Sequence, residues 1–467
     1  MQLPIVSVAP LVGDHSEIFR EIFANRKQFR HFENYLTGLI ALDNKSMANM
    51  ARCIIDSADK TNISRYLSES SWREEKLNDK RVSYMKEQTA PHQLRKEHSA
   101  LLIDDTLCEH VGSLFEYVDQ HYNHGNGQYP VAHNLVTSHY LSGAVRFPVD
   151  ARLYRRYEEF TNWETFVEKH FPDEEIPKQK KPRAAFRKRV EEKLLEDPEF
   201  KEMDEAFKTK ITLASELVDK AVARGLRFGW VLFDGWYLAP DFLAVITKHN
   251  LDWVSILKQN RNLETNSFRL RDENGDIISF NGPHIKVKDV VPHIPQNAYK
   301  PITVDGRTYY TFTLTVRIPS IGKVRIVVSF DNPELKGNFV VLVTNRTDCN
   351  AKRIISTYLL RWPIETFYQD SKQLLGLDEY RMRSAQAFQK HWSLVFVAYS
   401  LLHLDCLAAS LTKKQRSPSK SIGEAARQQT QSLIQDLILF AHDALNRGQE
   451  ASQVFDILFT KQQATYT

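Results

Sequence analysis

Two short apolar runs that end in acids constrain the fold of this chain more than any other feature. Residues 99–106 read SALLIDDT, and residues 228–236 read FGWVLFDGW. Each pattern is typical of a buried strand that emerges at its polar end. Because α/β folds present functional groups to a cleft at the ends of such strands, Asp105 and Asp234 are candidate site residues.

The remaining patterns predict a mixed α/β protein with several helical stretches. Apolar residues recur at helical spacing over about 14–90, and the chain is again helical from 351 to about 409. Between them, residues 262–345 alternate mostly with a period of two, which predicts a β-rich segment. Residues 413–421 are predicted to be a linker before terminal helices over 422–459.

Composition excludes several classes of protein. The 467 residues carry a net charge of +4, with 42% hydrophobic and 26% charged residues, which predicts a folded protein of two to four structural units. No apolar run reaches 18 residues, so we expect no spanning helix. The N-terminus lacks the features of a secretion signal, and four scattered cysteines predict neither a zinc ribbon nor disulfides. We therefore expect a cytoplasmic protein.

A third acid lies within a segment that carries two cations and a phenol. Tyr358, Arg361, Glu365 and Lys372 are separated by three, four and seven residues. These steps place the four side chains on one face of a helix, and Pro363 is expected to interrupt that helix near the acid. A metal-bound phosphate requires such a set, with the carboxylate on the metal and the cations on the phosphates. Carboxylates suit Mg²⁺ or Mn²⁺, and two such ions about 4 Å apart can cleave a phosphodiester.

One basic segment stands out against the near-neutral total. Residues 178–189 read KQKKPRAAFRKR and contain no acid. Such a run is either a solvated helix face or, in a protein that handles DNA, a phosphate-contacting segment. On the second interpretation the DNA contacts come from Lys180, Lys181, Arg183, Arg187 and Lys188.

The Y-x2-R-x3-E-x6-K arrangement closely resembles the signature of cut-and-paste DDE transposases of bacterial insertion sequences. The IDDT segment and the strand that ends at Asp234 resemble the first and second aspartate motifs of that family. The string YLTGL at 35–39 and the pair Ser71 and Trp72 are similar to the helical leader of one branch. The resemblance covers about 20–440.

The resemblance implies a ribonuclease-H-like core that is interrupted by a β-rich insertion. The implied domains are a helical DNA-binding domain (1–95), the first part of the core (96–260), the insertion (261–338), the second part with the glutamate helix (339–410) and a helical C-terminal region (411–467). Asp105, Asp234 and Glu365 would bind two Mg²⁺, with Mn²⁺ able to replace them. Arg361 and Lys372 would contact phosphates of the transposon end, and Tyr358 would help to position it.

The implied function is transposition by a homodimer on paired DNA ends. The protein would bind double-stranded DNA at the terminal inverted repeats, cleave it and join it to target DNA, with no nucleotide cofactor and no membrane. It would act in the bacterial cytoplasm, associated with the nucleoid when bound to DNA. Two alternatives stay open: a metal-dependent nuclease of the same fold without strand transfer, and a non-catalytic DNA-binding regulator.

Three details of the site stay open at this point. Asp104 is adjacent to Asp105 and would point to the opposite face of the strand; we favour Asp105 because it directly precedes Thr106. Trp253, Tyr309 and Tyr310 could stack on a flipped base, although core packing is the better interpretation. His121 and His124 lie in a Gly/Asn-rich setting that favours an exposed turn over a metal site.

Overall fold

The computed structural model describes residues 3–123, 125–408 and 420–463. Its α-helices, in chain order, are α1 Pro10–Ser16, α2 Arg26–Ala41, α3 Met47–Cys53, α4 Lys60–Ser68, α5 Glu74–Gln88, α6 Tyr157–Phe160, α7 Trp163–His170, α8 Lys180–Leu194, α9 Pro198–Ala206, α10 Lys210–Ala223, α11 Pro240–Lys248, α12 Val287–Val290, α13 Ala351–Leu359, α14 Trp362–Leu375, α15 Ala385–Ala408, α16 Ile422–Asn446 and α17 Ala451–Gln463. The strands are β1 Ser99–Glu109, β2 Asp119–Gln120, β3 Val131–Ser142, β4 Val145–Tyr154, β5 Trp230–Phe233, β6 Asp252–Ile256, β7 Asn262–Glu264, β8 Leu270–Arg271, β9 Ile277–Ile278, β10 His284–Lys286, β11 Lys300–Val304, β12 Arg307–Ile318, β13 Gly322–Phe330 and β14 Val340–Thr344. Most of the predicted linker at 413–421 lies outside the described residues.

A ten-stranded mixed sheet organises the chain. Its order runs β11-β12-β13-β14-β6-β5-β1-β3, and both β2 and β4 pair with β3. The central strands β1, β5 and β6 are parallel, whereas β3 is antiparallel to β1. This mixed α/β arrangement is consistent with the predicted ribonuclease-H-like fold. Both apolar runs form central strands, β1 and β5, as predicted. The predicted strand end is correct for β5, which Asp234 follows, but wrong for β1, which continues to Glu109 so that Asp104 and Asp105 lie within the strand.

The second half of the β-rich segment, β11 to β14, extends this sheet, whereas β7 with β10 and β8 with β9 form two separate two-stranded sheets. β14 pairs antiparallel with β6, and β13, β12 and β11 follow outward in reverse chain order. The period-two pattern therefore predicted the strands correctly. Trp253 on β6 is only 2% exposed and packs against Phe233, so it belongs to the core.

Two apolar clusters cover the opposite faces of the central strands. The first core contains Leu102 of β1 and residues of α2, α14, α15 and α16. The second core contains Leu101 and Ile103 of β1 and residues of α10 and α11. Side chains of a strand alternate between its faces, so β1 contributes to both cores. The N-terminal helices thus share the first core with α15, and the Tyr35 hydroxyl lies 2.9 Å from Nδ1 of His391.

The sequence predicted no helix able to span a membrane, but helix α15 is long and apolar enough to do so. Its length and composition are sufficient for a span, but 78% of its most apolar 18-residue window is buried inside the protein. Helices α5, α2 and α4 pack around it. Burial on all sides explains why its hydrophobic residues are not confined to one stripe.

The charged stretch between β4 and α10 forms a small helical unit with its own core. Helices α6 to α9 bury Trp163, Phe186 and Phe200 in a third apolar cluster. The basic run of 178–189 lies mostly on α8, the helix face that one of the two interpretations predicted.

Candidate active site

The register of the central strands places two acids at the same level of the sheet. Ile103 of β1 pairs with Phe233 of β5, and both side chains belong to the second core. The next residue on each strand is therefore Asp104 and Asp234. By alternation, Asp104 faces the side of the first core, where α14 lies, and Asp105 faces the side of α10.

Arg361 connects Asp104 to Glu365. The guanidinium donates a hydrogen bond from Nη1 to Oδ2 of Asp104 and another from Nη2 to Oε1 of Glu365, the second at 2.8 Å. The side chains of Arg361 and Asp104 are 16% and 15% exposed, and that of Glu365 is 41% exposed. One cation thus balances two carboxylates that come from β1 and α14.

Burial sets the protonation of this cluster. Burial raises the pKa of Asp104 to about 7; the charges of Asp105 and Glu365 add to the rise, and Arg361 opposes it. Burial disfavours the charge of Arg361, but Asp104, Tyr358 and Glu365 together raise the pKa of that guanidinium above its usual value. Burial likewise raises the pKa of Tyr358, whose phenol senses the charges of both Asp234 and Asp104. Asp104, Glu365 and the ring of Tyr358 are therefore the neighbours of Arg361, and Asp234 acts on Tyr358.

The four-residue signature is carried by two helices and not by one. Tyr358 lies on α13, which ends at Leu359, and Arg361 is the residue before α14. Pro363 occupies the first turn of α14, where the missing N–H costs nothing. The predicted interruption near Pro363 is confirmed, whereas the prediction of a single helix is wrong because α13 ends before Arg361. Arg361 nevertheless lies beside both Tyr358 and Glu365.

Asp234 is held in a turn that requires the glycine after it. Its Oδ1 accepts a hydrogen bond of 2.8 Å from the backbone N–H of Trp236. A Cβ on Gly235 would lie 2.7 Å from the carbonyl oxygen of Ile256 on the neighbouring strand. The Asp-Gly pair therefore lets the chain turn tightly against β6, and it leaves Trp236 45% exposed beside the site.

Asp105 has partners of a different kind. Its Oδ2 accepts a hydrogen bond of 2.7 Å from Nζ of Lys210, and its Oδ1 accepts one of 2.8 Å from the Tyr237 hydroxyl. Both partners lie on the α10 side of the sheet. The geometry thus brings Asp104, not Asp105, together with Arg361 and Glu365, so the preference for Asp105 does not fit the structure. The adjacent Thr106 that favoured Asp105 carries no information about which helix covers which face.

Several of the other residues predicted to contact DNA are already paired within the protein. Lys372 on α14 donates a hydrogen bond of 2.7 Å to the carbonyl oxygen of Leu107. Arg183 is paired with Glu158 and Glu164, and the guanidinium of Arg187 lies 3.7 Å from the ring centre of Tyr157. Of the five predicted contacts in the basic segment, Lys180, Lys181 and Lys188 are exposed.

Lys210 and Tyr237 are neighbours of Asp105 that the sequence did not predict, and His121 lies in surroundings that differ from the prediction. Lys210 pairs with a carboxylate 105 positions earlier in the chain, a separation that no local pattern reveals. His121 was expected in an exposed turn, but it is only 6% exposed. His124 lies outside the described residues.

Two family models match the chain. The model described as DDE superfamily endonuclease matches residues 18–274, more than half of the chain. The chain belongs to this DDE superfamily. A second model, described as a transposase DDE domain, matches residues 206–401, which include Asp234 and Glu365. The predicted resemblance to DDE transposases of insertion sequences is therefore confirmed.

One curated relative points to the same group. The probable transposase for insertion sequence element IS701 from Microchaete diplosiphon is 21% identical to this DDE superfamily chain over 264 residues. The match covers 56% of this chain and 57% of the relative, so the chain spans little more than half the length of that relative.

Proposed function

We propose that this protein is a DNA transposase whose catalytic carboxylates are Asp104, Asp234 and Glu365. The observation that carries the proposal is the bridge of Arg361 between Asp104 and Glu365, at the level of the sheet where Asp234 ends β5. Asp104 of β1 and Glu365 of α14 share a partly buried cation there, and Asp234 directly follows β5 at the same level of the sheet. A carboxyl whose pKa is raised by burial and that pairs with a specific cation is typical of a functional site.

The donor set suits a divalent metal ion of the Mg²⁺ type. Among the residues that the structure describes, no three His, Cys, Asp or Glu side chains are already arranged around a common metal position. The three acids nevertheless offer only carboxylate oxygens, which hard ions such as Mg²⁺ or Mn²⁺ prefer. The repulsion between Asp104 and Glu365 is at present relieved by Arg361. Bound metal would supply Lewis acidity to the scissile phosphate and a pathway for activating water or a 3′-hydroxyl.

The chain's own side chains have distinct roles in this proposal. Asp104, Asp234 and Glu365 would hold the metal ions. Arg361, released from the carboxylates, would bind a phosphate of the transposon end in the bidentate manner of arginine. Tyr358 would help to position the DNA strand. Lys372, which lies two helical turns after Glu365, would bind a further phosphate.

The proposed partner is double-stranded DNA at the terminal inverted repeats of an insertion sequence, followed by target DNA. Two protomers would pair the ends. Lys180, Lys181 and Lys188 are exposed on α8 and suit non-specific phosphate contacts, whereas Arg183 stabilises the helical unit through Glu158. The N-terminal helices are proposed to read the repeat.

The experiment uses the purified full chain and a duplex that carries the DNA end flanking the gene. In Mg²⁺ or Mn²⁺ the protein should cleave at the end of the repeat and join a labelled 3′-hydroxyl to a target plasmid. The variants Asp104→Asn, Asp234→Asn and Glu365→Gln should retain DNA binding and lose both reactions. Cleavage without joining would instead favour a nuclease, and binding without cleavage would favour a regulator.

A further inference from the structure

Lys210 occupies an unusual position beside the carboxylates. It is the first residue of α10, follows the N-cap Thr209, and its side chain is 15% exposed. Its Nζ lies 2.7 Å from Oδ2 of Asp105, 5.2 Å from the ring centre of Tyr154 and 5.4 Å from that of Trp236. Trp236 follows Asp234 by two residues. A cation is thus held between two rings and one carboxylate, next to the end of β5.

A buried histidine lies near the same Tyr154 ring as Lys210. The ring of His121 lies 6.0 Å from that of Tyr154, and the charges of Lys210, Arg156 and Asp105 act on it. Its Nε2 has no hydrogen-bond partner among the described residues, although the residue is only 6% exposed. Leaving such a nitrogen unsatisfied costs free energy, which an added oxygen ligand would recover.

The charges around His121 indicate what that ligand is. Burial lowers the pKa of His121 to about 4; Lys210 and Arg156 add to this effect, and Asp119 and Asp105 oppose it, so the ring is neutral at pH 7 and can donate one N–H. Lys210 supplies a cation, and the N-terminus of the 14-residue α10 supplies a positive partial charge. One neutral donor, one cation and a helix N-terminus together suit a phosphate oxygen.

We propose that Lys210 and His121 form a phosphate-binding subsite for the DNA backbone next to the catalytic carboxylates, and that Asp105 is the positioning residue for Lys210. This inference rests on the proposed function, since it places the subsite on the DNA that is cleaved. The ion pair fixes the long lysine side chain between Tyr154 and Trp236, which reduces the conformational entropy that phosphate binding would otherwise cost. Asp105 would then affect DNA affinity and not metal binding.

The experiment measures the affinity of the full chain for the transposon-end duplex in metal-free buffer, where no cleavage occurs. Fluorescence anisotropy is recorded over a range of salt concentrations for wild type, Lys210→Ala, Lys210→Arg and His121→Phe. The matched control is Lys208→Ala, because Lys208 is 52% exposed and pairs with Glu216 on the outer side of α10. A second set of duplexes carries single neutral methylphosphonates near the cleaved bond.

We expect Lys210→Ala to lower the salt slope of binding by about 1 and to weaken binding, with Lys210→Arg restoring most of it. One methylphosphonate should weaken DNA binding by wild type and by Lys208→Ala. It should not change DNA binding by Lys210→Ala, because that variant has already lost the contact between Lys210 and the phosphate. Excess inorganic phosphate should not compete, since a single free anion lacks the rest of the DNA.

Three results would overturn the inference: an unchanged salt slope in Lys210→Ala, an equal methylphosphonate effect in all variants, or competition by inorganic phosphate alone. Asp105→Asn separates positioning from metal binding; it should weaken DNA binding while Mn²⁺ binding, measured by calorimetry, stays as in wild type. Failure of the wild-type protein to bind the duplex at all would contradict the proposed function instead.

Discussion

At the scale of single residues, Asp104 and Asp105 show how adjacent identical side chains acquire different chemistry. Asp104 meets Arg361 on the side of α14, and Asp105 meets Lys210 on the side of α10. The sequence predicts that both lie at a strand end, and it predicts that they point apart. Which of them meets Glu365 depends on which helix covers each face of the sheet, and that is determined by contacts more than 250 residues apart.

Arg361 is expected to compete with metal for the carboxylates. Replacing it by alanine removes the cation that bridges Asp104 and Glu365. The two carboxylates then repel each other without compensation, and a divalent ion that binds between them relieves that repulsion. We predict that Arg361→Ala binds Mn²⁺ about tenfold more tightly in the absence of DNA, equivalent to about 1.4 kcal/mol, while DNA cleavage falls. Isothermal titration calorimetry measures the affinity.

Arg346 offers a matched control for this prediction. It also bridges two carboxylates, at 2.8 Å from Asp252 and 2.7 Å from Asp348, but away from the proposed site. Arg346→Ala should leave Mn²⁺ affinity unchanged. Weaker Mn²⁺ binding by Arg361→Ala would show that the arginine supports the metal site rather than competing for it.

At the scale of secondary-structure elements, the site depends on how tightly strands and helices approach each other. The turn after β5 passes so close to β6 that only glycine fits at position 235. The break between α13 and α14 places Arg361 at a helix start, from where it reaches both acids. The sequence predicted the interruption near Pro363 but not the backbone contact that requires Gly235.

Gly235→Ala is expected to damage both stability and catalysis. The new Cβ would lie 2.7 Å from the Ile256 carbonyl oxygen, so β5 or β6 must shift. We predict a loss of about 1–3 kcal/mol in the free energy of unfolding and a clear loss of cleavage, because Asp234 precedes the shifted residue. Urea denaturation and the cleavage assay measure the two effects.

Gly13→Ala is the control for this substitution. Gly13 lies in the helix α1, and an added Cβ there would meet nothing within 4 Å. It should leave stability unchanged or raise it by up to about 1 kcal/mol through helix propensity. An unchanged or higher stability of Gly235→Ala would show that the close approach of Gly235 to the Ile256 carbonyl oxygen does not affect stability.

At the scale of the whole molecule, the predicted segments are tied together by one sheet and two large cores. Periodicity predicted helical ends, central strands and a β-rich segment, and the resemblance implied that this segment interrupts the core. They did not predict that the β-rich segment continues the central sheet or that the N-terminal helices pack around α15. Such associations depend on which apolar faces pack against each other. A periodic pattern predicts that a helix or strand has an apolar face, but not which other element packs against that face.

Buried histidines predict how stability depends on pH. Burial lowers the pKa of His110, His121, His133 and His391 to about 4 and that of His403 to about 3. In the unfolded chain these rings titrate near 6.5, so between about pH 4 and 6.5 the unfolded state binds more protons. The free energy of unfolding should therefore fall as pH drops through this window, by about 1.4 kcal/mol per unit for each ring that stays neutral.

Asp104 contributes with the opposite sign, because its raised pKa of about 7 means that the folded state binds the extra proton, but five histidines outweigh one carboxyl. Urea midpoints at several pH values measure the net slope. His403 accepts a hydrogen bond from the Arg146 backbone N–H at Nε2, so protonation breaks that bond. His403→Gln should reduce the slope and the exposed His98→Gln should not; a stability independent of pH across this window would contradict the account.

The most direct test of the central claim compares Asp104→Asn with Asp105→Asn in Mg²⁺-dependent cleavage of the transposon-end duplex at saturating DNA. The two variants change neighbouring residues by the same chemistry, and only Asp104 lies with Arg361 and Glu365. We predict that Asp104→Asn lowers the cleavage rate by more than about 100-fold, while Asp105→Asn keeps most of the rate and needs more DNA to reach it. Loss of cleavage in Asp105→Asn together with retained cleavage in Asp104→Asn would contradict the proposed site.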